Sequence, residues 1–319
     1  MSMRMSDAAL THHTEDPTPE RVVKPQSVGF SPRRVWTLAM ATMTQLIRMK
    51  ILAFLLLFCV LAVGAGFAFS VINPEQQLQL LKTVVLGSLQ IFSIVIGVVA
   101  TALLLPKDME DRTLYTILSK PVPRFDYLLG KLLGVLLLIA GGMLVMDGVL
   151  SLLIWFRQGQ VFEDTLARLE LEKMSNPEAV AQVKEIVGRQ GLTWTLHWAV
   201  WAIFLKAAVI TTVALLLSII ASSTLFTIVM TFCITIIGHG HSLIREFFFQ
   251  PHLSSSGARV AGLGLAAICP DLAQFDIVDA VVNGEAVPWQ AIYEMTGIAA
   301  LYVTVYLFVA HLLFVEKEL

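Results

Sequence analysis

The chain has 319 residues, of which 56% are hydrophobic and only 14% charged, with a formal net charge of −2 and a mean hydropathy of +0.76. A soluble domain carries about a quarter charged residues, so this composition excludes an ordinary soluble protein and points to a multi-pass membrane protein. The near-neutral balance gives no electrostatic footprint for nucleic acid.

Residues 1–31 are rich in Thr, His, Pro and Glu and lack apolar periodicity. They read as a disordered cytoplasmic tail, without the apolar core of a cleaved secretory signal. Residues 32–50 form an amphipathic candidate. Val35, Trp36, Ala39, Met43, Leu46 and Ile47 oppose Arg33, Arg34, Thr42, Arg48 and Lys50, the pattern of a helix lying along a membrane surface.

Apolar runs of about 20 residues span the hydrocarbon core. Residues 51–74, 83–106 and 295–315 contain no Asp, Glu, Lys or Arg; 132–156 holds only Asp147, and 191–244 only Lys206. The last of these is long enough for two spans with a turn at Ser222-Ser223. The predicted architecture is therefore all-α, with six transmembrane helices at about 51–72, 83–105, 132–155, 197–220, 224–243 and 295–315, forming one permease domain over 51–319. Between them, 157–190 reads as two short amphipathic helices, one carrying Phe162, Leu166 and Leu169 and the next Val180, Val183 and Val187, with Asn176-Pro177 as a helix start. In the outer loop 245–294, the apolar stretch 260–269 is too short to cross, which predicts a re-entrant or interfacial element.

Basic residues set the orientation. Arg33, Arg34, Arg48 and Lys50 precede the first span, and Lys107, Arg112, Lys120, Arg124 and Lys131 separate the second from the third. Placing these inside puts both termini in the cytoplasm of a plasma membrane, with a bacterial inner membrane the expected one. Trp194, Trp198 and Trp201 then mark the outer interface of the fourth span.

The polar segment 106–131 is the most informative element. Within a lipid-soluble chain it concentrates five basic and four acidic residues with three prolines. Asp108 suits an N-cap, Glu110 and Asp111 suit a helix N-terminus, Leu114, Ile117 and Leu118 share a face, and Pro121 ends the helix. Glu110-Asp111-Arg112-Thr113-Leu114, then Leu118-Ser119-Lys120-Pro121-Val122-Pro123-Arg124, then Leu129-Gly130-Lys131, resemble the cytoplasmic signature of type-2 ABC transporter permeases. The resemblance extends to the six-span layout, the basic amphipathic lead-in and the Cys269-Pro270-Asp271-Leu272 to Gly284 region before the last span. It implies a transmembrane subunit that pairs with a second permease subunit, identical or different, and with two separate cytoplasmic ATPase subunits. It also implies that 106–131 is the coupling element, with Glu110, Arg112, Thr113, Lys120, Pro121, Arg124 and Lys131 in the contact. ATP and Mg would be bound by the partner, and the chain would hold no cofactor.

The chain has no G-x-x-x-x-G-K-[ST] loop; Gly130-Lys131 is followed by Leu132. With neither H-E-x-x-H nor G-x-S-x-G, no catalytic residues are expected, so the chain is not itself an enzyme. His239 and His241, two residues apart, make a poor chelate without a third ligand, and no metal is expected. Cys59, Cys233 and Cys269 read as small apolar residues. Asp147 and Lys206 are ionisable groups inside predicted spans, hence candidates for an ion pair or for the polar lining of a cargo path. Gly64, Gly66, Gly141 and Gly142 read as sites of close helix packing. A secondary transporter or channel would instead show inverted repeats, and a membrane anchor for a cytoplasmic complex would need no polar groups within its spans. The leading expectation is an exporter's permease subunit among membrane lipids, with its cargo unspecified.

Overall fold

A computed structural model of the chain describes residues 29–48, 74–110, 123–171, 176–221, 223–241 and 269–316, with isolated helical positions at 53, 57, 60, 61, 64 and 264. Among them all regular structure is helical. In chain order the helices are α1 (Pro32–Arg48), α2 (Pro74–Glu110), α3 (Arg124–Leu171), α4 (Pro177–Gln190), α5 (Trp194–Ile220), α6 (Thr224–His239), the short α7 (Val278–Val282) after a 3-10 turn at Ala273–Phe275, and α8 (Trp289–Glu316). Prolines open α1, α2 and α4, where a missing N–H costs nothing. Four segments are long and apolar enough to cross a membrane: α2 over 76–104, α3, the α4–α5 segment and α8. The 16-residue α6 is shorter, and the predicted first span at 51–72 lies largely outside the described residues.

The ends of the bundle are fixed by side-chain contacts. Tyr127 and Leu128 at the start of α3 share a cluster with Leu215 and Ile219 at the end of α5 and with Phe314 at the end of α8. This is the end nearest α1. At the opposite, distal end, Trp198 of α5 meets Trp289 of α8 edge to face, with ring centroids 4.8 Å apart. Helix α5 is apolar all round and buried on nearly every side, the pattern expected of a central helix. Helix α8 buries only Ile292, Met295, Ala299, Leu307, Ala310 and Phe314. It leaves Leu301, Val305, Phe308 and Leu312 exposed, an apolar face suited to lipid.

The polar segment 106–131 divides differently from its sequence pattern. Helix α2 continues through Pro106 to Glu110, so Asp108 does not cap a new helix. A proline within a helix removes one backbone bond without forcing the chain to stop. Residues 111–122 lie outside the described residues. Residues 124–131 are the first two turns of α3, not a loop before it. They bury Asp126, Tyr127, Leu128, Gly130 and Lys131.

Beyond the predicted end of the third span, α3 runs on without interruption to Leu171, 48 residues in all. The first of the two short helices expected in 157–190 is therefore its continuation. The stretch contains no proline, and Val161 and Thr165, four residues apart, both turn inward. Helix α4 folds back on it, and Val183 and Val187 pack with Leu78 and Val161, flanked by Phe162 and Leu169. Residues 260–268 lie outside the description apart from Gly264. The segment from Cys269 to Val282 packs inward, with Leu272, Phe275, Val278 and Val281 buried.

Candidate functional site

Two polar centres stand out, one at the α1 end and one inside the bundle. The first begins with α1, whose Val35, Ala39, Thr42 and Leu46 are buried at helical spacing against α3. The backbones come very close. A Cβ on Gly130 would lie 2.6 Å from the Leu38 Cβ, and one on Gly134 would lie 2.6 Å from the Thr42 Cβ and 2.7 Å from the Ala39 carbonyl oxygen. Gly130-x-x-x-Gly134 is thus a small-residue seam that lets a second helix dock. Trp36, Met40 and Ile47 of α1 remain exposed, and Thr42, on the polar face by sequence, is buried.

Charge locks this seam. The Asp126 carboxylate, fully buried, lies 3.2 Å from an Arg34 guanidinium nitrogen and accepts from the Ser31 backbone N–H at 3.3 Å. The Lys131 ammonium donates to Gln45 Oε1 at 3.4 Å and sits 5.7 Å from the centre of the Tyr127 ring. Two residues before Asp126, Arg124 reaches the last turn of α8. Its Nη1 donates to the carbonyls of Phe314 at 2.9 Å and Val315 at 2.7 Å, and its guanidinium lies 5.9 Å from the Phe314 ring centre. Tyr127 stacks on that ring, with centroids 6.0 Å apart. The start of α3 therefore holds α1 on one side and the end of α8 on the other.

The second centre lies where α6 stops short of the distal end. Lys206, 1% exposed, places its ammonium 3.4 Å from His239 Nε2 and 3.9 Å from Asp276 Oδ1. The Gln90 amide of α2 lies 3.5 Å from the same His239 nitrogen. His239 Nδ1 is 2.9 Å from the Thr235 carbonyl. A carbonyl only accepts, so Nδ1 carries the hydrogen and Nε2 is left to accept from Lys206. His241 Nδ1 lies 3.7 Å from Asp271 Oδ2. Asp271 Oδ1 accepts from the Ala273 N–H at 3.2 Å, and the Leu272 N–H donates to the Gly238 carbonyl at 3.1 Å. The segment before α8 is thereby tied to the C-terminus of α6, whose end carbonyls lack helical partners of their own. Along α6, Thr227, Thr231 and Thr235 each return their hydroxyl to the carbonyl four residues back, which satisfies them without outside partners.

Asp147 and Lys206 do not pair with each other. Asp147 Oδ2 meets His197 Nδ1 at 2.7 Å, while Lys206 lies nine residues further along α5. Of the expected coupling residues, Arg124 and Lys131 are engaged inside the chain. Glu110 ends α2, and Arg112, Thr113, Lys120 and Pro121 lie outside the described residues. His239 and His241 serve different partners, and among the described residues no group of three His, Cys, Asp or Glu is placed to hold a metal. Close approach occurs at Gly97, Gly130, Gly134 and Gly238, whereas a Cβ on Gly64 or Gly141 would meet nothing within 4 Å. Sequence reasoning passed over Asp126 and His197, and placed Arg34 only on the polar face of α1 and among the orienting bases. The four-residue spacing of Gly130 and Gly134 was a legible signal for the seam, but a partner 50 residues distant left none for His197.

No protein-family model matches this chain, and no curated protein matches it.

Proposed function

We propose that this protein is the permease subunit of an ATP-driven ABC transporter, an exporter whose energy comes from separate ATPase subunits. The α1 end faces the cytoplasm. The six-span layout is completed by 51–72 and by α6, and the buried segment after Cys269 is the inner limb of a re-entrant outer element. A second permease subunit packs against this one.

One observation carries the reading: the first turn of α3 grips two other helices at the α1 end. Asp126 holds Arg34 of α1, and Arg124 holds the final carbonyls of α8. The sequence signature at 110–131 leads straight into this junction, so force applied to it reaches α1, α3 and α8 together. A block of helices tied together at the end of that signature is what conversion of ATPase closure into helix tilt requires. Interactions that differ between two states of the bundle would then set how much work is transmitted. Lys131 and Arg124 belong to the block, and the ATPase contact falls to Glu110, Arg112, Thr113 and Lys120.

Tagged protein solubilised from native membranes should carry a phosphate-loop ATPase and hydrolyse ATP. Charge reversal at Glu110, Arg112 and Lys120 together should release that partner. Arg124 is left unaltered because its reversal would unpin α8. An ATPase that stays bound to the triple variant refutes the docking site, and native material without any ATPase refutes the permease reading.

A further inference from the structure

A groove of about 250 Å³ opens between α3 and α5 toward the distal end. Its walls include Met143 and Leu144 of α3 and Trp201 and Phe204 of α5, and its polar groups are Asp147 and His197. Among the described residues no lysine or arginine lines it. Trp201 is held in place, with its Nε1 donating to Thr296 Oγ1 of α8 at 3.1 Å, and its ring lies 5.5 Å from that of Phe204.

The polar groups sit at one end. His197 is within one turn of Trp194, which opens α5 and is exposed, the level at which tryptophans mark a membrane interface. From there the groove runs inward to Ala140 and Phe204, seven residues along each helix, or about 10 Å at about 1.5 Å per residue. One Asp147 oxygen accepts from His197. The other is buried and has no hydrogen-bond partner among the described residues. A carboxyl oxygen left open beside hydrocarbon, with aromatic faces adjacent, is an incomplete polar site. A hydrogen-bond-donating cation completes it, through charge and through the ring faces. An anionic head would meet the Asp147 carboxylate, and the His197 nitrogen nearest it is already engaged by that carboxylate.

We propose that this groove binds an amphiphile with a protonated amine head, the amine on Asp147 and the apolar tail along Leu144 and Phe204. As a cargo site it rests on the permease reading, but binding itself does not, and the test therefore uses the full chain without ATPase. The probe is radiolabelled octylamine, added to the protein in phosphatidylcholine nanodiscs with empty nanodiscs subtracted. Saturable binding of one octylamine per chain is expected, with none for octanoate.

D147N should weaken binding roughly tenfold or more, which corresponds to about 1.4 kcal/mol. A140F, which fills the deep end and leaves the carboxylate intact, should abolish it. Detergent unfolding of both variants verifies that they fold. Nanodiscs containing phosphatidylethanolamine separate the two sources of an amine: displacement of octylamine there identifies a lipid head as occupant, and retention identifies a free amine, either one meeting the proposal. Octylamine that fails to saturate, octanoate that binds as well, or a folded D147N that binds like the parent protein overturns it.

Discussion

Replacing Gly134 with alanine tests the seam between α1 and α3 most directly. The new methyl would sit 2.6 Å from the Thr42 Cβ and 2.7 Å from the Ala39 carbonyl oxygen, where carbon contacts prefer about 3.5–4.0 Å. One of those atoms is backbone, so no rotamer change relieves the clash, and α1 must retreat by about 1 Å. Overpacking of this kind costs about 1–3 kcal/mol. Alanine also improves helix propensity by about 1 kcal/mol, which partly masks the loss. Gly141 and Gly148 supply the control. They lie on the same helix, and a Cβ there meets nothing within 4 Å, so G141A and G148A receive the propensity gain without the clash. Purified protein in micelles, unfolded with SDS and followed by circular dichroism, should show G134A less stable than either control by about 1–3 kcal/mol. Trypsin should cut G134A faster at Arg33 and Arg34 of the loosened α1. Equal stability of G134A and G141A, with unchanged cleavage, would refute the close approach of the two helices.

Three further expectations use the same unfolding assay. R34A should cost more than D126A, about 3 against about 1 kcal/mol, because R34A strands a buried carboxylate whereas the Arg34 side chain, 28% exposed, still reaches water; the reverse order would contradict the burial of Asp126. R124A should cost about 1–2 kcal/mol through the two lost carbonyl bonds, with faster amide hydrogen exchange in the last turn of α8, and R124K should recover only part because an ammonium can replace the carbonyl bonds but not the planar guanidinium at the Phe314 ring. K206M should stay within about 1 kcal/mol of the parent or exceed it, since a buried ammonium 3.9 Å from a half-exposed Asp276 gains little against its desolvation; a loss above about 3 kcal/mol would show that the contact with His239 is worth more than its length suggests.

Composition and apolar run lengths were enough to determine a helical, membrane-type architecture. Helices α2, α3, α5 and α8 coincide with predicted runs because backbone in hydrocarbon must satisfy itself locally. Amphipathic spacing likewise foretold α1 and α4. Helix ends were less legible: no sequence signal stops α3 at the membrane boundary, and its inward-facing Val161 and Thr165 are explained only by α4 folding back onto them. The polar groups were visible as residues, but their partners were not. Asp147 and Lys206 both fall inside predicted spans, and that placement alone does not say which helix faces which. Asp126 looked like an ordinary charge near a span end until α1 was laid against Gly130 and Gly134 and brought Arg34 to it. Local chemistry decides what each segment becomes, whereas pairing across 50 or 90 residues depends on how the helices rotate and cross. Small residues and the geometry of packing fix that choice, and only the tertiary structure records it.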